Sequence, residues 1–401
     1  SPRVFLPAAR CGMLWVRGGG GCEGGRVGAM DELEGLRGRI DAVDARLVEL
    51  LAARRDLVAQ VAELKGARGL PLYHPAREED LISRRREQGR RAGLDPDLVE
   101  DVFRRLLRSS RVAQSRSLAV RGVRPGAVVL LVGGGGSMGR GLHGWFRTAG
   151  YEVRVLERED WDRVAELAAG ADLAVLAVPI DATADAAARL GPHLPPECVL
   201  ADITSVKAAP LHAMLRAHPG PVVGLHPMFG PTTATMDQQI VVVTPGRDEP
   251  ACRWVLDQLA AWGAVLVEAT AEEHDEVMGV VQALRHFATF AFGQFLCRQG
   301  VPLARTLEFS SPIYRLELGM VGRLFAQDPA LYAEILFATP ERRELLRGYL
   351  ESVAQNLAMV EAGDKEGFCA EFRRVASWFG PFGDQAMRES SYLIEKLVER
   401  F

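Results

Sequence analysis

The chain has 401 residues, of which 48% are hydrophobic and 25% charged, and its formal net charge is −4. That is a globular composition with enough apolar material for one to three domains. The weak charge excludes a global field that would gather nucleic acid, and no apolar run approaches the roughly 20 residues that span a bilayer. Cys11, Cys22, Cys198, Cys252, Cys297 and Cys369 are scattered and form no C-x-x-C pair. Neither a zinc site nor a disulfide framework is therefore expected, and reduced thiols of a cytoplasmic protein are the default.

Residues 1–29 stand apart. They hold Gly18-Gly-Gly-Gly21, Gly24 and Gly25, several arginines and one acid, Glu23. This segment reads as a disordered extension, with Met30 as a natural start. Its apolar stretch is too short and too broken by arginine for a secretory signal.

From Leu33 the apolar positions Leu36, Ile40, Val43, Leu47 and Leu50 follow in steps of three and four, and the pattern resumes at Leu57, Val61 and Leu64. This predicts a long helix starting near a cap at Asp31. Arg54 stands where the series calls for an apolar residue, Lys65 lies one turn beyond Val61, and Arg37 flanks Leu33 and Ile40. A cation on an apolar stripe is costly unless something anionic meets it. One such residue alone reads as a snorkelling side chain or an internal ion pair. Three on one stripe point to an anionic ligand. Gly69-Leu-Pro71 breaks the helix, a second starts near Pro75, and a third runs from about Asp95 to Ser117 with Pro96 at its start. The arginine run Arg84-Arg-Arg86 with Arg90-Arg91 reads as a solvated face, because no aromatic residues interleave it.

The series Leu36-Arg37-x-x-Ile40-Asp41-x-x-Asp44, Arg54-Arg55, Lys65, Pro71, Arg77-Glu78, Ser110 and Gln114 resembles the all-helical chorismate mutase family. The resemblance implies an intertwined dimer in which Arg37 reaches the partner's site. It further implies that Arg54, Arg77 and Ser110 support the anionic substrate. Lys65 and Gln114 would donate to its ether oxygen, and Glu78 would bind the ring hydroxyl. A Claisen rearrangement needs no nucleophile, only a compact conformer and donors aimed at the oxygen that gains charge. Some family members have aspartate where this chain has His74, so His74 is not carried over.

Arg121-Gly-Val-Arg-Pro-Gly126 reads as a linker. The apolar run Val128-Val-Leu-Leu-Val132 then enters a glycine turn in which Gly134, Gly136 and Gly139 have the G-x-G-x-x-G spacing, with Gly135, Ser137 and Met138 between them. Gly134 would allow the tight turn, Gly136 the close approach of a pyrophosphate, and Gly139 the packing of helix on strand. A second strand, Tyr151–Leu156, ends at Glu157, where a carboxylate would bind ribose hydroxyls and disfavour a 2′-phosphate. NAD is the cofactor expected, with Arg158 leaving room for NADP. Strands are read at Asp172–Val178, Val199–Asp202, Val222–Leu225, Gln239–Val243 and Ala264–Glu268, alternating with helical segments. This predicts a mostly parallel, doubly wound sheet. Val178, Pro179, Ser205, Lys207 and His226 fall at carboxyl ends of strands, where such sheets gather ligands. His226 between Leu225 and Pro227 reads as a structural histidine by itself, or as an acceptor for a substrate hydroxyl in its rigid Pro- and Gly-bearing segment.

Gly133-Gly-Gly-Gly-x-Met-Gly139, Val178-Pro-Ile180, Ser205-Val-Lys207 and Leu225-His-Pro-Met-Phe-Gly-Pro231 resemble prephenate dehydrogenase. With the first segment, the chain from about residue 31 onward is similar to the fused chorismate mutase/prephenate dehydrogenases of tyrosine biosynthesis. Residues from Glu272 on are helical in pattern, with charged Arg315, Glu317 and Arg323 among Ile313, Leu316, Leu318, Met320, Val321 and Leu324. A salt-bridged helix pair accounts for these residues. The resemblance instead implies a dimer core in which Arg323, supported by Arg315, holds a prephenate carboxylate. His286 either borders that pocket or is a satisfied core histidine.

The expected architecture is multidomain: an extension (1–29), an all-α chorismate mutase domain (30–120), an α/β Rossmann-type dinucleotide-binding domain (121–271) and an all-α dimerisation domain (272–401). The expected partners are chorismate, prephenate, a second copy of the chain and, by resemblance, tyrosine as feedback inhibitor. Two other readings are a non-catalytic regulator that binds NAD and an aromatic acid, and a 3-hydroxyacid dehydrogenase with a helical arm. The first leaves two complete sets of site residues without a task. The second leaves Arg54, Lys65 and Gln114 without one.

Overall fold

The computed structural model describes residues 23–67, 75–117 and 122–398, with side chains for 32–64, 77–111 and 122–398. The expected extension falls mostly outside this and His74 wholly, while of the linker Arg121–Gly126 only Arg121 does. The chain divides into two compact units, Ser1–Leu64 and Lys65–Phe401.

The first unit carries α1, a helix from Glu23 to Ala67. It runs through Asp31, so the cap expected there marks no boundary. An acid with helix on both sides finds no free N–H groups to cap. Leu33, Leu36, Ile40, Val43, Leu47, Leu50, Leu57 and Val61 are all exposed. The period is that of a helix, but these side chains lack a cover in the single chain.

In the second unit, α2 (Pro75–Arg91) and α3 (Pro96–Ser117) pack on each other. Gly89 makes this possible, since a Cβ there would sit 2.6 Å from Val99 Cγ2. Arg86 bridges to Asp97 (2.6 Å) and Glu100, while Arg84 pairs with Asp80 and both Arg90 and Arg91 with Glu87 along the exposed face of α2. The solvated arginine face therefore excludes Arg86, which closes the helix pair.

The sheet strands are β1 (Val128–Val132), β2 (Glu152–Leu156), β3 (Leu173–Leu176), β4 (Val199–Asp202), β5 (Val222–Pro227), β6 (Ile240–Arg247) and β7 (Val265–Glu268), in the order β2-β1-β3-β4-β5-β6-β7. All neighbours pair in parallel except β5 and β6. The helices between them are α4 (Ser137–Thr148), α5 (Val164–Ala168), α6 (Ile180–Leu190), α7 (Ala208–Ala217) and α8 (Glu249–Ala261). Alternation along β1 sends Val129 and Leu131 into one core with Leu142 and Phe146, and Leu130 and Val132 into the other with Leu156 and Met214. The chain leaves β1 for β2 on one side and returns to β3 on the other. That switch point opens a crevice beyond the carboxyl end of β1. One strand is longer than its sequence suggests. β5 continues through His226 and Pro227 because β6 runs antiparallel to it and pairs His226 with Val242 and Pro227 with Val241. His226 is thus held in a strand rather than in a loop.

Beyond the sheet come α9 (Ala271–Met278), a π-helical turn (Gly279–Leu284), α10 (Arg285–Arg298), α11 (Leu303–Glu308), α12 (Pro312–Phe325), α13 (Pro329–Phe337), α14 (Pro340–Glu361), α15 (Lys365–Phe379) and α16 (Pro381–Val398). Phe309, Phe337, Trp378 and Phe372 are exposed on these helices. Trp378 is 79% exposed and stands in T-shaped contact with its neighbour Phe379. No described helix is long and apolar enough to cross a membrane.

Candidate functional site

The glycine turn between β1 and α4 is built by close backbone approaches. The left-handed residue is Gly133 (φ +79°), one place before the glycine expected to make the turn. A Cβ on Gly133 would meet the Ala177 carbonyl at 2.7 Å, and one on Gly139 would meet the Gly133 carbonyl at 2.4 Å. The third glycine thus has the packing role its spacing suggests. α4 starts at Ser137 behind Gly136, and no side chain caps it. Its first N–H groups and the positive end of its dipole are left for an anion. Glu157 follows β2 and its Oε1 accepts from the Gly135 N–H at 2.5 Å. Gly135 and Glu157 are therefore adjacent, as a site for a diphosphate and its ribose requires. Met138 and Val178 line the same end half-buried, Gly134 is buried, and Arg158 is exposed. Pro179 leads into α6, whose first N–H, on Ile180, donates to Glu334 Oε2 of α13 (2.9 Å).

A second group of polar side chains lies where the sheet meets the helices. His226 is 3% exposed, and its Nδ1 is 2.8 Å from His274 Nε2. His274 Nδ1 is 2.8 Å from Asp275 Oδ1. The Asp275 carboxylate also accepts from the N–H groups of Lys207 (2.7 Å) and Ala208 (2.9 Å) at the start of α7. A carboxylate can only accept, so His274 donates through Nδ1 and, with one proton per ring, accepts through Nε2. His226 then donates through Nδ1, which leaves its Nε2 as an acceptor. The Gln282 amide nitrogen meets that Nε2 at 3.2 Å. Lys207 is fully buried, with Nζ on Asp202 Oδ2 and 3.3 Å from the Thr204 hydroxyl. Ser205 sits half-buried in the same turn.

Burial, then the neighbouring His274 and Lys207, push the His226 imidazole down to about 3. Burial and Arg285 push His286 down to about 4. Burial works to raise the Asp275 carboxyl, but bonds from His274, Ala208 and Lys207 outweigh it and hold the group below its ordinary value. Histidines kept neutral in the fold take up protons on unfolding once the pH drops below 6.5. Their contribution is therefore complete above about 6.5 and is lost progressively toward pH 4 and 3. The urea midpoint of the chain should fall between pH 7 and pH 5. A flat midpoint over that range would contradict the burial of these neutral rings.

The remaining expected residues are spread over both units. Arg37 is exposed on α1. Arg54 is half-buried there, and burial lowers its pKa. The side chains of Lys65 and Gln114 lie outside the described residues. Arg77 is exposed in the first turn of α2, and Ser110 Oγ donates to the Leu106 carbonyl at 2.7 Å. Glu78 is paired with Arg111, which also holds Asp237 at 2.9 Å. A carboxylate accepts several bonds, so this pairing leaves Glu78 capacity for a hydroxyl. Arg315 Nη2 donates to the Leu307 carbonyl (2.7 Å). Arg323 is exposed on α12, where its charge and that of Arg285 act on the Tyr332 hydroxyl. Tyr332 in turn stands edge-on to His286, ring centres 4.7 Å apart.

Sequence reasoning passed over His274, Asp275, Gln282, Asp202 and Arg342. A signal existed for three of them: His274-Asp275 is a histidine–acid pair, and Gln282 opens the mixed polar and aromatic run Gln282–Phe290. Nothing in the spacing singles out Asp202 or Arg342.

Three family models match along the chain: chorismate mutase type II over residues 36–115, the nucleotide-binding domain of prephenate dehydrogenase over 148–268, and the prephenate dehydrogenase dimerization domain over 270–374. The chain is 45% identical to a T-protein of Enterobacter agglomerans over 367 residues, which is 90% of this chain and 97% of that one. It is 41% identical to a T-protein of Haemophilus influenzae over 92% of this chain and 97% of that one. Its fold matches a crystal structure of prephenate dehydrogenase from A. aeolicus in complex with hydroxyphenyl propionate and NAD+. The TM-score is 0.52 at 19% identity, over 63% of this chain and 97% of the other.

Proposed function

The chain belongs to the T-protein family, and from that premise we propose how its residues divide the work of the two reactions. It is a bifunctional enzyme of tyrosine biosynthesis, with a chorismate mutase domain ahead of a prephenate dehydrogenase. We assign the boundaries 30–120, 121–271 and 272–401 to the mutase, nucleotide-binding and dimerisation domains, and place the enzyme in the cytoplasm that a biosynthetic role implies.

In the mutase, Arg54, Arg77 and Ser110 hold the anionic substrate, Arg37 reaches the partner's site, Lys65 and Gln114 donate to the ether oxygen, and Glu78 binds the ring hydroxyl. The exposed stripe on α1 supports a homodimer, because a second copy would cover it. The exposed aromatics of α11 to α15 support the same for the dimerisation domain.

For the dehydrogenase, the cradle of Gly134, Gly135, Gly136, Ser137, Met138 and Gly139 fits a dinucleotide diphosphate, Glu157 its ribose, and Val178 and Pro179 the wall beyond β3. NAD held there would supply the hydride acceptor for C4 of prephenate, the ring carboxylate being lost as CO2. The observation that carries the assignment is the chain Asp275–His274–His226. It fixes one tautomer and leaves His226 Nε2 to accept a hydrogen bond from the C4 hydroxyl, whose proton the phenol product retains, with Gln282 yielding its place to that hydroxyl. Lys207 acts from beneath: its N–H helps to hold Asp275, and its ammonium is spent on Asp202. Ser205 borders the substrate. Arg323 takes a prephenate carboxylate, with Arg315 in support. Tyrosine, as product analogue, is proposed as a feedback inhibitor. Adding prephenate and NAD should raise absorbance at the NADH band, and chorismate with NAD should do so after a lag. Signal from prephenate but none from chorismate would remove the mutase assignment, and signal from neither would remove both.

A further inference from the structure

We propose that Arg342 is the buried cation that receives the side-chain carboxylate of prephenate in the dehydrogenase site. Arg342 lies in the first turn of α14 and is 2% exposed. Its Nη1 donates to the Ile335 carbonyl. Its Nε and Nη2 are buried without a partner, and so is Oε1 of Gln282. A guanidinium keeps its charge in a protein and offers five donors, so burying one with two nitrogens unsatisfied is costly unless a ligand completes it. No carboxylate of the described residues is bonded to it. Burial presses its pKa down, and only the more distant charge of Asp275 opposes this.

The packing places this cation beside the reacting end of the site. α14 lies on the π-helical turn, where a Cβ added to Gly279 would come 3.3 Å from Leu345, one turn beyond Arg342. The same turn carries Gln282, which reaches His226. The Arg342 charge acts on both His226 and Asp275. π turns interrupt helices chiefly at functional sites, because the extra residue re-aims a side chain. Here it aims Gln282 at the catalytic imidazole and brings α14 close behind.

Prephenate carries two carboxylates. The one on the ring leaves as neutral CO2 and falls to Arg323, the exposed cation already given a carboxylate. The side-chain carboxylate keeps its charge from substrate to product. A fixed guanidinium there contributes binding that is equal in ground and transition states, and it selects acids over neutral analogues.

This assignment rests on the reading that His226 takes the C4 hydroxyl. The test uses Arg342→Gln and Arg342→Lys in the full chain. In Arg342→Gln the KM for prephenate should rise at least about tenfold with a smaller change in kcat, since a bond to a charged group is lost. The KM for NAD and the mutase turnover of chorismate should stay near wild type, which shows that the chain is folded. As competitive inhibitors, 3-(4-hydroxyphenyl)propionate should bind wild type better than its neutral amide. That preference should shrink about tenfold in Arg342→Gln and partly return in Arg342→Lys. An unchanged KM and an unchanged acid preference would overturn the proposal and leave Arg342 bridged to Gln282 by buried water. Equal loss of mutase and dehydrogenase activity in both variants would also overturn it, in favour of a packing role. His226→Asn separates the two levels. If it abolishes turnover while Arg342→Gln binds prephenate normally, only the Arg342 assignment fails. If His226→Asn turns over normally, the underlying reading fails.

Discussion

Replacing His226 by Asn should lower prephenate turnover by roughly 10²–10⁴-fold, the usual range for a positioned proton acceptor, and leave NAD affinity near wild type. Asparagine keeps a polar group on β5 but offers no ring nitrogen where Nε2 now faces the site. The glycine cradle and Glu157 lie at the end of β1 and β2, and nothing in the His226–His274–Asp275 chain touches them. Binding and turnover should therefore separate. Initial rates with saturating prephenate and NAD, together with NADH fluorescence titration, check both halves. Unchanged turnover would remove His226 from the mechanism. A loss of NADH binding as large as the loss in rate would show that the ring supports the fold instead. Because the imidazole is held to about 3, its own protonation should not limit the wild-type rate as the pH drops from 7 to 5. Any acid limb in that range must come from another group or from the loss of stability already described.

Replacing Arg54 by Ala should lower mutase turnover by about 10²–10³-fold, the cost of removing one preorganised donor from a charge-stabilising site. Dehydrogenase activity with added prephenate should persist. The reason is physical: Arg54 interrupts an apolar series on α1, is half-buried, and is shifted by desolvation. A cation kept in that setting suits an anionic ligand. Chorismate consumption and NADH production from prephenate, measured on one preparation, separate the two activities. Equal loss of both would mean a folding defect or a single shared site, and either result would end the assignment of separate sites.

Much of this chemistry is visible before any folding. The glycine turn was read correctly in position, because its constraints are local: two backbone segments within a few residues must approach too closely for a Cβ. Even so, the left-handed residue fell on Gly133, one place early, where the Ala177 carbonyl just beyond β3 crowds the backbone. Glu78 was expected, by resemblance, to bind the ring hydroxyl, and in the fold it is also held by Arg111, a residue of the next helix that no spacing rule pairs with it. Lys207 was placed at the carboxyl end of a strand, where such sheets gather ligands. It is instead fully enclosed with Asp202, because β4 ends in an acid and the turn folds the lysine back over it.

The amino-acid sequence alone determined the order of helical, alternating and helical segments and the place of the glycine turn between β1 and α4, since periods of 3.6 and 2 and glycine sterics are properties of neighbouring residues. Only the tertiary structure decided which nitrogen of His226 accepts. That depends on His274, 48 positions away, on Asp275, and on the two N–H groups of α7 that hold the carboxylate. Hydrogen-bond partners across such distances are chosen by packing, and packing leaves no period in the chain for a reader to find.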